Sequence, residues 1–220
     1  MTDRQNQYGT WLPPGPGPTP SGPSAGPGAE WSEMIRGRLF GQRIVLIRGL
    51  LDDATANQAA AELMTLDATG DERVTIHLDA SGDTVEAAFA VMDVIDLLGV
   101  PVHVRCLGRA EGPAIGVLAV AAHRAATPHA RFRLADPHVA AQGSASDLAR
   151  FAAHHLAQLS RFHQRVATAT RRPAAEVAAD SAAGRYLDAE GALRYGLLDE
   201  LVGPRGSVRA LPGRNVGFRP

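Results

Sequence analysis

From Arg43 to Leu134, short runs of strand character alternate with longer stretches of helical periodicity. That alternation restricts the chain to a parallel sheet with crossover helices. Arg43-Ile44-Val45-Leu46-Ile47 is an apolar run of strand length. Asp52-Asp53 then offers cap residues to a helix over Ala56, Ala60, Leu63 and Met64. Val74-Thr75-Ile76-His77-Leu78 is a second strand, with a tight turn expected at Ser81-Gly82-Asp83. In Val85–Leu98 the residues Ala88, Val91, Met92 and Ile95 fall at helical spacing, and Val102–Leu107 is a third strand. A glycine turn leads into the apolar stretch Pro113–Ala122, which predicts a helix, and Arg131–Leu134 is a fourth strand. The fold class is α/β, built from βαβ units.

The last long element differs. From Asp147 to Thr170 the residues Leu148, Phe151, Leu156, Leu159, Phe162 and Val166 recur at spacings near three and four, the mark of one amphipathic helix. Its stripe is expected to be buried between subunits, with packing on its own domain as the alternative. Residues 13–28 hold seven prolines and five glycines, which leave little to bury and few backbone donors. Residues 1–29 are therefore expected to be a disordered tail that adds nothing to folding. The folded domain is expected over 30–204, starting near Trp31, with 205–220 a flexible C-terminal tail. A Pro-rich docking motif for an SH3-like partner is the sharper alternative for the first tail.

Charge and composition exclude several classes. A formal net charge of −1 gives no case for nucleic acid or an anionic membrane. Met1–Thr10 is polar, so no secretory segment is expected, and Pro113–Ala122 is too short to span a bilayer. The single cysteine, Cys106, rules out an intrachain disulfide and fits a reducing cytoplasm, where the protein is expected to be soluble. Cys106 itself reads as a small buried apolar residue. His154 and His155 are adjacent, His163 lies on the same helix, and His123 and His129 flank a connection. None has metal-ligand spacing with a third ligand, so neither metal nor cofactor is expected.

The segment Gly108-Arg109-Ala110-Glu111-Gly112-Pro113-Ala114-Ile115 resembles the Gly-Gln-Ala-Ala-Ser-Met-Gly-Ala active-site segment of ClpP, the proteolytic subunit of the Clp protease. Asp79-Ala80-Ser81-Gly82-Asp83 stands where that family has Asn-Ser-Pro-Gly-Gly, and Pro128-His129-Ala130-Arg131-Phe132 where it has Pro-Asn-Ser-Arg-Val. Gln142-Gly143-Ser144-Ala145-Ser146-Asp147 is similar to the segment opening the family's handle, and Tyr195-Gly196-Leu197-Leu198-Asp199 to its closing Tyr-Gly-Leu-Val-Asp. The ordered series, from about Arg38 to Val202, carries the resemblance. It implies a crotonase-like ClpP superhelix with a protruding handle (strand plus long helix) over about 138–170. It also implies stacked rings of seven, homomeric or mixed with other ClpP-like subunits, and a hexameric AAA+ Clp ATPase as partner.

In the register of that resemblance the catalytic triad is absent. Gly112 stands for the serine nucleophile, Ala135 for the histidine base and Gly184 for the aspartate. A serine hydrolase needs all three functions. Residues 107–126 contain no Ser, Thr or Cys, so sliding the register restores nothing. The oxyanion positions fall on Pro113, which has no N–H, and Asp83, whose charge has the wrong sign. No catalytic residue is therefore assigned, and a catalytically inactive, structural or regulatory ClpP-like subunit is expected. The alternative is a repurposed crotonase-like enzyme acting on a small acyl or carbonyl substrate through Asp83, Glu111, Asp136 and His138.

Overall fold

The computed structural model describes residues 27–203; both expected tails fall largely outside them. α1 (Pro27–Phe40) opens the described chain, so residues 27–29 of the expected tail are helical. Proline is tolerated there because the first helical turn has no use for its missing donor. The body of the fold starts at Arg36.

Four parallel strands make the centre of the body: β1 (Ile44–Leu51), β2 (Val74–Gly82), β3 (Val102–Glu111) and β4 (His123–Ala126). With the short β7 (Glu200–Leu201) the order is β1-β2-β3-β4-β7. Crossover helices α2 (Asp53–Ala68) and α3 (Val85–Leu97) join the first three strands. Asp52 caps α2 by accepting from the Thr55 amide at 2.8 Å, which holds its carboxyl below the ordinary range. Thr84 caps α3, accepting from the Ala87 amide at 3.2 Å. In β2, buried Val74, Ile76, Leu78 and Ala80 alternate with half-buried Thr75, His77 and Asp79. The buried set joins Val45, Ile47, Val104 and Cys106 in the core with α2 and α3. This is the period-two pattern of a sheet with one face against helices.

β3 pairs with β4 over His103–Cys106, and further on, over Arg109–Glu111, with β5 (Arg131–Arg133). β5 in turn pairs antiparallel with β6 (Tyr186–Asp188). The long β3 therefore forks between two neighbours, and the far end of the fork frames a cleft. Three elements differ from expectation. β2 runs on through Ser81 and Gly82, because these residues find partners in Leu50 and Leu51, and Ser81 also in Glu111. The apolar stretch from Pro113 is only a 3₁₀ turn (Gly112–Ala114) followed by α4 (Ile115–Ala119). The strand expected to open the handle is not formed among residues 134–144. Pro137 has no donor, and everything from Val139 through His154 is exposed, so no strand edge is within reach.

The long helix α5 (Ala145–Thr170) is capped by Ser144, whose hydroxyl accepts from the Asp147 amide. Its stripe divides in two. Leu159, Phe162 and Val166 are buried on this chain, with Phe162 edge-on to Phe89, so the expectation of subunit burial fails for them. Leu148, Phe151 and Leu156 are 38%, 42% and 64% exposed. The turn reversing the chain after α5 leads to α6 (Ala174–Ala182) and, past β6, to α7 (Ala189–Tyr195).

At the mouth of the fork a Cβ on Gly82 would lie 2.5 Å from the Ala114 nitrogen and 2.7 Å from the Pro113 Cβ. Gly82→Ala must push the end of β2 off the 3₁₀ turn. It is expected to destabilise the fold by about 1–3 kcal/mol, the usual cost of overpacking. Urea unfolding followed by circular dichroism reads this as a lower midpoint; an unchanged midpoint would contradict the contact.

Candidate functional site

The carboxyl ends of β2 and β3 and the segment after β5 enclose a cleft of about 220 Å³. From β2 it receives Ser81, Gly82 and Asp83; from β3 and the 3₁₀ turn, Glu111, Gly112 and Pro113. Arg133, Ala135, Asp136 and His138 supply the third wall. Crevices outside the carboxyl ends of parallel strands are where α/β folds bind ligands.

Gly112 has φ +56°, a left-handed conformation that favours glycine. A Cβ there would sit 3.5 Å from the Ala135 carbonyl oxygen and 3.6 Å from that of Gly82. Positions 82, 112 and 135 thus converge, and the last two carry no functional side chain. Gly184 lies one step behind, also left-handed at φ +66°. A Cβ on it would be 3.3 Å from Nη2 of Arg133. The guanidinium of Arg133 therefore stands beside the position where the resemblance expects a carboxylate.

The backbone donors are also accounted for. Pro113 has none, and the Asp83 amide donates to the Leu51 carbonyl at 3.2 Å. The hydroxyl lining the cleft is that of Ser81, and no hydrogen bond joins it to a base among the described residues. Cys106 is buried in the core, and burial pushes its thiol up to about 12, so it carries no thiolate near neutral pH.

The four polar residues singled out from the sequence, Asp83, Glu111, Asp136 and His138, do share the cleft. Asp136 is already committed: its Oδ1 lies 2.8 Å from Nε2 of His163 on α5. Sequence reasoning missed both His163 and Arg133. His163 falls between Leu159 and Val166 on the buried stripe of α5, a position that could have marked it as inward-facing. Arg133 lies two residues before Ala135 and alternates with buried Phe132, which places it on the cleft side of β5. Its Nε is buried without a hydrogen-bond partner, a state that typically costs about 1–3 kcal/mol. Its guanidinium lies 5.1 Å from the centroid of the Tyr186 ring. Among the described residues no three His, Cys, Asp or Glu side chains come together as a metal site would require. No helix among them is long and apolar enough to cross a membrane.

A family model for Clp protease matches residues 27–205. The chain is 31% identical over 175 residues to the ATP-dependent Clp protease proteolytic subunit 2 of Thermobifida fusca, covering 77% of this chain and 85% of that one. It is 31% identical over 182 residues to proteolytic subunit 1 of Nocardia farcinica, covering 81% and 92%. For proteolytic subunit 1 of Frankia casuarinae the identity is 30% over 192 residues, covering 86% and 90%.

The pair of Asp136 and His163 ties the segment leaving β5 to α5. Asp136→Ala and His163→Ala should each destabilise the fold, by about 1–3 kcal/mol for a half-buried charge-assisted contact. The double variant should lose less than the sum, with a coupling of about 1 kcal/mol. Strict additivity in chemical denaturation would mean that the contact does not form in solution.

Proposed function

This chain belongs to the Clp protease family, and we propose that it is a catalytically inactive ClpP-like subunit with a structural or regulatory role in a Clp-type ring assembly. One observation carries the reading. Where positions 82, 112 and 135 converge, two glycines and an alanine leave no nucleophile and no base. In the family register, Gly184 removes the carboxylate as well. Losing a triad costs about 10⁶-fold in turnover in a serine protease. Each lost oxyanion donor costs about 10²–10³-fold more. Pro113 cannot donate, and the Asp83 amide is turned toward Leu51, so both losses fall on the same cleft.

The scaffold supports assembly. Leu148, Phe151 and Leu156 lie on the exposed half of α5, in the segment the resemblance assigns to the handle through which rings stack. Covering side chains of this size stabilises an interface by about 1.5–3 kcal/mol each. The strand missing from residues 134–144 would find its partner edge in a second copy. Rings of seven, homomeric or mixed, and docking of an AAA+ ATPase are what the family likeness implies. The single reduced cysteine agrees with a cytoplasmic assembly. The second reading, a repurposed crotonase-like enzyme, is favoured by the shared cleft of Asp83, Glu111, Asp136 and His138. Of these, Asp136 is hydrogen-bonded through Oδ1 to His163 on α5.

The purified chain is expected to hydrolyse neither a fluorogenic dipeptide nor casein above a no-enzyme control. By light scattering it should run as an assembly at micromolar concentration, and Leu148→Glu with Phe151→Glu should reduce it to smaller species. Turnover above the control would end the inactive reading, and a strict monomer would end the assembly reading.

A further inference from the structure

The cleft contains charges that the fold does not use. Arg133 forms no ion pair among the described residues, and its Nε is buried without an acceptor. Glu111 and Arg133 are register partners in the parallel pairing of β3 with β5. Their side chains therefore leave the sheet on the same side, and both line the cleft, yet no ion pair joins them. The Asp83 carboxylate, on the opposite wall, likewise has no hydrogen-bond or ion-pair partner among the described residues. Asp136 is engaged through Oδ1 by His163. Beside the exposed imidazole of His138, one guanidinium fork and two carboxylates stand around about 220 Å³ of space.

The surroundings of Arg133 keep the fork presentable. Tyr186 lies against its face, and Gly184 leaves the room a side chain would narrow. A planar guanidinium held in this way suits bidentate recognition of a carboxylate. An anion lacking a positive group would meet Asp83 and Glu111, and a cation lacking a negative group would meet Arg133. Only a ligand carrying both charges satisfies all three. The volume falls below that of a typical drug-sized pocket, which confines the ligand to about the size of an amino acid or a small dipeptide.

We propose that this cleft is a binding site for a small zwitterion, a free amino acid or dipeptide, whose carboxylate is held by Arg133 and whose ammonium group is held by Glu111 and Asp83. The proposal rests on the reading of the cleft as hydrolytically inactive, since a bound dipeptide has to survive there. It adds to that reading a ligand class and three residues with separate tasks.

Isothermal titration calorimetry on the full chain tests it with three probes: Ala-Ala, N-acetyl-Ala-Ala and Ala-Ala-amide. Ala-Ala is expected to bind. Each capped probe should bind weaker by about tenfold or more, the share of one charge-assisted contact. Arg133→Met should abolish binding of Ala-Ala, and Arg133→Lys should restore part of it. Gly184→Asp should also weaken binding by about tenfold, because it gives Arg133 an internal carboxylate. If Arg133→Met does not fold, the lysine variant and the amide probe carry the same test. Absence of Ala-Ala binding, or equal binding of all three probes, overturns the proposal. Mass spectrometry of the recovered probe separates the two claims. Bound and intact Ala-Ala agrees with both, and unbound intact Ala-Ala sinks the zwitterion site alone. Release of alanine contradicts the inactive reading.

Discussion

The end of β2 and the 3₁₀ turn after β3 approach so closely at Gly82 that no side chain fits between them, and the geometry of the cleft depends on that approach. The two strands keep parallel register up to Leu78, shift once before Ala80, and then bring Ser81 opposite Glu111. The shift delivers Gly82 against Pro113 and Ala114. Pro113 suits this place because a proline at the start of a helical turn sacrifices no intrahelical bond. The same residue that fits the turn is the one that cannot donate to a developing oxyanion. Asp83 shows the parallel case just past β2, where its amide extends the pairing with β1 by donating to the Leu51 carbonyl. At both positions the contact that stabilises the turn also occupies or removes the backbone donor.

The cleft is therefore well formed. Gly112 and Gly184 hold left-handed backbone without presenting side chains, and the space beside Gly184 belongs to a guanidinium. A carboxylate introduced at position 184 would meet the guanidinium of Arg133. Asp136, next to Ala135, is drawn away from the cleft's chemistry by His163. This pair fixes the segment leaving β5 to the buried half of α5, while the other half of that helix presents Leu148, Phe151 and Leu156 to whatever covers them. One hydrogen bond, from His163 on the buried half of α5 to Asp136 at the cleft, links that helix to the cleft wall.

Much of the architecture was legible in the sequence because it is written in periodicity. The alternation in β2 and the cap at Asp52 each follow from local chemistry and stand in the structure as expected. What failed was set by tertiary contacts. β4 is the polar-looking His123-Arg124-Ala125-Ala126, with no β-branched residue, and forms because β3 and β7 offer edges on both sides. The apolar run from Pro113 reads as a helix, yet the Ala121 amide closes a turn on the Leu118 carbonyl and the Ala122 amide donates to the Val102 carbonyl of β3, leaving a helix of only five residues. Periodicity identified the stripe on α5 but not its division, since burial of Phe162 depends on Phe89 from a distant element. In the cleft, Arg133 was hidden for a similar reason. Nothing local distinguishes it from its neighbours Arg131 and Arg124 until β6 brings Tyr186 and Gly184 beside it.

No side chain at the convergence of positions 82, 112 and 135 is expected to act as a nucleophile. The most direct measurement is intact-mass spectrometry of the whole protein after prolonged incubation with a fluorophosphonate, a reagent that requires an activated hydroxyl. An unshifted mass is expected, because Gly112 offers no oxygen and, among the described residues, no base is hydrogen-bonded to the Ser81 hydroxyl. A single phosphonyl adduct mapped to any residue of the cleft would contradict it.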